Sequence, residues 1–365
     1  MSTRELSKEH DGHVSIIAAR VGRIPVISLK RLRGSDEDRR SLADELTAVY
    51  HDIGFAVLVD HGLPDGLIDA VFNMMGTFFS LPDEQKRLID KAASPYFRGW
   101  ESVGTEFTNN RPDIREQIDV WSEHPASDQV GGPSYLKLLG PNQWMPDDVI
   151  SGQRELTLDW FERLGTLSDE VLSLFAVGLG LPPEQFATAF GDDAMSLTKF
   201  ISYPPTPDGA AGVNAHNDTG FVTLLAAGST PGLQVLDPTG DWIDVPVVPN
   251  SFVLNIGEML QAMTGNYLVA TAHRVITSEP RMSAAYFHGP SLHMQLDLIE
   301  LDQRFVDAVA ASERHRSAGF MATKQQTEAG IGDIASSTHT ATYGDQLWNY
   351  FSRSYPEMMA LHHGR

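Results

Sequence analysis

The chain has no cysteine, so disulfides and thiolate metal sites are excluded. No run approaches the roughly 18 to 20 uninterrupted apolar residues that a membrane-spanning helix needs. Residues 1–13 carry several charges and two histidines, and lack the apolar stretch of a secretion signal. Basic residues are scarce: 27 Lys and Arg against 48 Asp and Glu leave a net charge of −21. So acidic a chain lacks the basic face that nucleic acid or an anionic membrane surface wants as a partner. Internal repeats and low-complexity tracts are absent too. The remainder, 365 residues of which 42% are hydrophobic, reads as a soluble cytoplasmic protein able to bury a sizeable core, expected as a monomer.

Chemistry concentrates between Tyr203 and Ser283. His216-Asn217-Asp218 sets two ligand-type side chains two residues apart, which extended backbone turns to one face. With 13 His and 48 acidic residues in 365, chance alone supplies roughly 1.7 such triplets, so the triplet by itself carries little weight. Its surroundings give it weight. A further imidazole, His273, sits on the strand-like Ala272-His273-Arg274-Val275-Ile276. Two His and one carboxylate on one face of an octahedral ion leave positions open, as non-haem Fe(II) requires when it must bind a co-substrate and dioxygen together. After the turn signal Ser278-Glu279-Pro280, Arg281-Met282-Ser283 again puts two polar side chains on one face. A guanidinium and a hydroxyl together suit a carboxylate.

The runs Tyr203-Pro204-Pro205, Asn214-Ala215-His216-Asn217-Asp218-Thr219-Gly220-Phe221, Gly232-Leu233-Gln234-Val235-Leu236 and Asn255-Ile256-Gly257-Glu258 come in this order. They continue through His273-Arg274-Val275 and Arg281-Met282-Ser283-Ala284-Ala285-Tyr286-Phe287. Earlier come Ile24-Pro25-Val26-Ile27, Asp60-His61-Gly62-Leu63-Pro64 and Phe78-Phe79-Ser80-Leu81-Pro82. Over residues 24–355 the chain resembles the 2-oxoglutarate- and Fe(II)-dependent dioxygenases of the isopenicillin-N-synthase-like superfamily. The resemblance implies an α+β fold with a double-stranded β-helix core (jelly-roll, cupin-like) wrapped by N-terminal and C-terminal helices. It implies an oxidoreductase, most simply a hydroxylase, acting on a C–H bond of a small molecule and releasing succinate and carbon dioxide. Fe(II), 2-oxoglutarate and O2 are the implied cofactors, with ascorbate in support. His216, Asp218 and His273 would hold the metal; Arg281, Ser283 and the Tyr203 hydroxyl would meet the far carboxylate of 2-oxoglutarate. The aromatic loop Tyr96, Phe97, Arg98 and Trp100, together with Lys199 and Phe287, would face the substrate. Family members often carry Arg and Asn where this chain has Lys199 and Ile201. Rival readings are an oxidase of the same superfamily that uses no 2-oxoglutarate, an ethylene-forming-type dioxygenase, and a non-enzymatic cupin-like binding protein.

Elsewhere the pattern supplies scaffold. Residues 1–22 read as a flexible leader, 23–190 as an N-terminal region of helices and strands, 191–295 as the jelly-roll core, and 296–365 as C-terminal helices and a lid, all one catalytic unit. Ile24–Leu29 and Gly54–Val59 read as strands. Helical spacing covers Ser41–His51, with Ser41 as its cap, then Leu63–Ser80, Gly152–Leu181, Asp302–Ser312 and Gly344–Tyr355. The Leu156, Trp160, Leu164, Val171 and Phe175 stripe is core. His61 reads as a structural residue, the charges of Asp113–Asp119 as a solvated edge, and Ala318–Thr342 as a loop or lid. The aromatic loop and the C-terminal helix around Trp348 and Phe351 are expected to cover the barrel mouth.

Overall fold

In the computed structural model the described residues are 24–108, 111–126, 131–207, 210–317 and 342–364. The expected leader, and the lid apart from Thr342, lie outside them. The N-terminal half supplies β1 (Val26–Ser28), α1 (Asp36–Asp52), β2 (Phe55–Val59), α2 (Leu67–Phe79) and β3 (Gly99–Glu101). It continues with the short strands β4 (Phe107–Thr108) and β5 (Arg111–Pro112), then β6 (Glu116–Trp121) and the long α3 (Gln153–Gly178). The core runs through β7 (Leu197–Tyr203), β8 (Val213–His216), β9 (Val222–Ala227), β10 (Leu233–Leu236), β11 (Trp242–Asp244) and β12 (Phe252–Ile256). After α4 (Glu258–Met263) come β13 (His273–Val275) and β14 (Arg281–His288), then the C-terminal helices α5 (Gln303–Ala311), α6 (Tyr343–Ser354) and α7 (Pro356–His363).

Eight strands form the major sheet in the order β1-β2-β12-β9-β14-β7-β6-β3, and four form the minor sheet, β11-β10-β13-β8. The two sheets face each other across an apolar core: Val57, Ile201, Tyr203 and Val253 from the first meet Val213, Val235 and Val275 from the second. This is the jelly-roll architecture. Because strand side chains alternate, the odd-numbered residues of β7 face this interior. Their even neighbour Phe200 turns outward with Ile118, Val120, Leu224, Ala284 and Tyr286 onto the helical layer. There α3 lays down Trp160, Leu164, Leu167, Val171 and Phe175, stepping by three or four residues so that one face is buried. Gly178 closes the stripe where α1 crosses, for a Cβ there would overlap Thr47 and the carbonyl of Ala43.

Two expectations need correcting. Helix α1 begins at Asp36, not near Ser41: Ser35 is its cap, in a reciprocal capping box with Asp38. The first turn is so charged that apolar periodicity, read alone, starts the helix one turn late. Asp113–Asp119 is not a solvated edge. Strand β6 is paired on both sides, to β3 and to β7; its register sets Gln117 and Asp119 beside the inward Ile201 and Lys199, and both are buried, as are Asp113 and Arg115 just before the strand. His61 is structural as expected, buried with its ring against Phe252 and the Asn250 carbonyl.

Candidate active site

Strands β8 and β13 run antiparallel with His216 opposite His273, which brings the two rings to 4.3 Å between centres. Strand β8 ends at His216, so Asp218 reaches the same place from the loop beyond it rather than by strand alternation. The Nε2 atoms of His216 and His273 lie 3.6 and 3.7 Å from Asp218 Oδ1. One ligand atom from each of the three residues falls within 4.8 Å of the others, a donor set that suits Fe(II).

The surroundings aim these atoms. His216 Nδ1 donates to the Asn214 carbonyl at 2.9 Å and His273 Nδ1 to that of Thr271 at 3.2 Å, which leaves both Nε2 lone pairs turned inward. Asp218 Oδ2 accepts from Thr223 Oγ1 at 2.5 Å and from Asn255 Nδ2 at 2.6 Å, so Oδ1 is left for a metal. Burial alone would raise the Asp218 carboxyl, but the His273 charge and the His216 and Thr223 hydrogen bonds outweigh it and hold the group well below the carboxylate range. Burial and the neighbouring His216 push His273 down to about 4, against the pull of Asp218. For His216 the balance is opposite: burial disfavours its charge, yet the hydrogen bond and charge of Asp218 raise it above its ordinary value. Asn255 and Thr223 escaped the sequence reading, since a single polar residue within an apolar strand gives no signal until its partner is known.

Deeper between the sheets, β14 lies beside β7 with Arg281 opposite Tyr203 and Ser283 opposite Ile201. Arg281 is only 2% exposed. Its guanidinium carbon stands 5.1 Å from the centre of the Tyr203 ring, and the Tyr203 hydroxyl is 3.3 Å from Ser283 Oγ. Arg281 Nε and Nη1 have no hydrogen-bond partner. Burial lowers its pKa despite the opposing effect of Tyr203, and the three polar groups form a cradle for an anion.

The residues expected to face the substrate divide. Phe287 and Leu197 are opposite one another on β14 and β7. They adjoin an apolar cap in which Phe97, Trp121, Trp348 and Phe351 cluster, Phe97 stacking on Phe351 at 4.1 Å. Phe97 adopts a left-handed backbone, φ 60°, unusual for an aromatic residue. Trp100 turns to the other side of the sheet, where its indole donates to Glu116 and packs among the helices. Arg98 is buried, donating to the Tyr96 carbonyl, with Nε and Nη2 unpartnered. Lys199 faces inward but already pairs with Glu106 and Asp119, each at 3.1 Å. Two surface clefts, of about 620 and 480 Å3, lie elsewhere and are not lined by any of His216, Asp218, His273 or Arg281. Among the described residues no helix is long and apolar enough to cross a membrane.

Comparison with known proteins agrees with this geometry. Residues 24–147 match the family described as non-haem dioxygenase in morphine synthesis N-terminal, and residues 191–290 match the 2OG-Fe(II) oxygenase superfamily. A 2-oxoglutarate-dependent dioxygenase of Dothideomycetidae sp. (strain 11243) is 32% identical over 290 residues, 77% of each chain. A homoarginine-6-hydroxylase of Arabidopsis thaliana is 29% identical over 290 residues, 76% of this chain and 80% of that one. A Neurospora crassa protein solved in complex with alpha-KG and thymine superposes with a TM-score of 0.66 at 26% identity, covering 80% of this chain and 98% of the other. With its paired His, carboxylate and buried Arg held as described, the chain belongs to the 2OG-Fe(II) oxygenase superfamily and is an Fe(II)- and 2-oxoglutarate-dependent dioxygenase.

Proposed function

We propose that His216, Asp218 and His273 are the complete set of protein ligands to Fe(II), and that Arg281, Ser283 and Tyr203 bind the far carboxylate of 2-oxoglutarate. The observation that carries the reading is Arg281, a buried guanidinium with two nitrogens left without partners. An uncompensated buried charge is costly, and a carboxylate offers it both the opposite charge and the two-pronged geometry it lacks. When bound, iron, 2-oxoglutarate and dioxygen supply the oxidation of a substrate C–H bond, a hydroxylation in this reading, with succinate and carbon dioxide released and ascorbate in support. The protein contributes position. Asn255 and Thr223 turn one carboxylate oxygen of Asp218 toward the metal, and the Asn214 and Thr271 carbonyls fix the tautomers of both imidazoles. The cap of Phe97, Trp121, Trp348 and Phe351 excludes water from the space beside Phe287.

The substrate is a small molecule. The printed names of the relatives, homoarginine for one and thymine for another, support that size class. Regions 23–190, 191–295 and 296–365 work as one catalytic unit, a view supported by β2 and β6 pairing directly with the core strands β12 and β7. We take the working form to be a cytoplasmic monomer without nucleic-acid or membrane partners. The test is single-residue replacement: His216→Ala, Asp218→Ala and His273→Ala should each abolish substrate-dependent succinate formation and weaken iron binding while the circular dichroism spectrum is kept. Normal turnover by His273→Ala would sink the ligand assignment.

A further inference from the structure

The reading above makes no use of the polar row along the inner face of β6. Gln117 lies beside Ile201, Asp119 beside Lys199 and Trp121 beside Leu197. Across β7 the same rows continue to Ser283, Ala285 and Phe287 on β14. The row therefore lies, in register, between the Arg281 end of β14 and the cap.

Its charges do not balance. Lys91, Arg115 and Lys199 pair with Glu101, Glu106, Asp113 and Asp119, three cations against four anions. The excess has an address. Asp119 is 3% exposed; Oδ2 accepts from Lys91 at 2.7 Å and Lys199 at 3.1 Å, while Oδ1 has no partner. On the next inward position Gln117 donates through Nε2 to Glu101 and Glu106, which leaves its Oε1 buried and without a donor. Two neighbouring acceptors, one of them a carboxylate oxygen, thus face the interior unanswered. Proteins rarely leave such groups bare.

Resting on the dioxygenase reading, we infer that the substrate carries a cationic, N–H-rich group (ammonium, amidinium or guanidinium) that donates to Asp119 Oδ1 and Gln117 Oε1. An acidic substrate is disfavoured here, because Lys199 is already committed to two carboxylates and a further anion would meet the bare oxygens. On the cap side of Asp119 the polarity reverses. Trp121 Nε1 is a buried donor without a partner, and successive inward positions on a strand are about 7 Å apart. A molecule with a cationic group at one end and a hydrogen-bond acceptor at the other complements both.

The probes are L-homoarginine, its neutral ureido isostere L-homocitrulline and the acidic L-2-aminopimelate, each titrated calorimetrically into anaerobic protein loaded with Fe(II) and 2-oxoglutarate. The expected result is homoarginine binding roughly tenfold to a hundredfold more tightly than homocitrulline, the range for a charge-assisted hydrogen bond, with aminopimelate weakest. Asp119→Asn should erase the preference and leave 2-oxoglutarate affinity unchanged. Homoarginine failing to bind, binding no better than homocitrulline, or keeping its advantage in Asp119→Asn would overturn the inference and assign the bare oxygens to buried water. If Asp119→Asn does not fold, the wild-type ranking alone decides. Wild-type protein that binds no 2-oxoglutarate would overturn the dioxygenase reading as well, whereas 2-oxoglutarate binding without cation preference overturns this inference only.

Discussion

Replacing Arg281 tests the co-substrate assignment most directly. The side chain is 2% exposed, on β14 opposite Tyr203, with Nε and Nη1 unpartnered. In Arg281→Leu the bound carboxylate keeps the hydroxyls of Tyr203 and Ser283 but loses its only cation in this cradle. A hydrogen bond to a charged group contributes about 1.5–3 kcal/mol, roughly tenfold to a hundredfold in affinity. The apparent KM for 2-oxoglutarate should rise by that factor or more. Arg281→Lys keeps the charge and loses the planar fork, so its KM should rise toward the lower end of the range. Iron affinity should be unchanged in both, since none of the three ligand residues touches Arg281 through the contacts described above. The assay is initial-rate succinate formation against 2-oxoglutarate, with iron affinity from chelator competition. If both variants keep the wild-type dependence on 2-oxoglutarate, the reasoning fails, and Arg281 would instead hold the carboxylate of the substrate itself, as an oxidase requires.

Asn255→Ala should weaken Fe(II) binding roughly tenfold to a hundredfold, the usual effect of removing a partner that orients a metal ligand, with 2-oxoglutarate affinity nearly unchanged; unaltered iron affinity would show that Thr223 alone positions Asp218. Lys91 is 1% exposed between Glu101 and Asp119, both at 2.7 Å. Lys91→Met leaves Glu101 without a cation and Asp119 with Lys199 alone, and should lower unfolding stability by about 3–5 kcal/mol, read from urea titration; a stable variant would mean the row tolerates unpaired charge. Iron binding should also depend on pH. His216 is raised above its ordinary value by Asp218 while His273 stays neutral down to about 4. Only the His216 proton must then be displaced: affinity is flat above the raised His216 value and falls roughly tenfold per pH unit below it. Chelator competition across that range reads the slope, and a pH-independent affinity would refute the proton assignment.

The convergence of His216, Asp218 and His273 was legible because residue identity and order survive in one dimension, although strand alternation accounts for only part of it. Asp218 owes its direction to hydrogen bonds from Thr223 and Asn255 beyond the end of β8, not to strand alternation. Arg281 and Ser283 were legible as an alternating pair; that Arg281 is buried without a counter-charge needs the sheet register. The β6 row was misread because four charges in seven residues, Asp113 to Asp119, look like surface. The register beside β7 turns Gln117 and Asp119 inward, while Glu116 faces the helical layer with Trp100. In sequence the aromatic loop reads as one unit, yet Phe97 joins the cap and Trp100 the helical layer. Neighbouring residues of an extended segment face opposite ways, and sequence proximity does not say which way is in.

The position of β2 has a consequence for how the chain is made. Val57 pairs with Val253, and the Tyr50 hydroxyl bonds the Leu254 carbonyl 204 residues away. On a ribosome elongating at about 5–20 residues per second, roughly 10–40 s separate the emergence of β2 from that of its partner β12. Throughout that interval Phe55-Ala56-Val57-Leu58, all buried in the finished protein, lack the strand that covers one of their two hydrogen-bonding edges. Nascent chains stalled before Phe252 should therefore engage chaperones that hold exposed strands, and release from them should coincide with synthesis of β12.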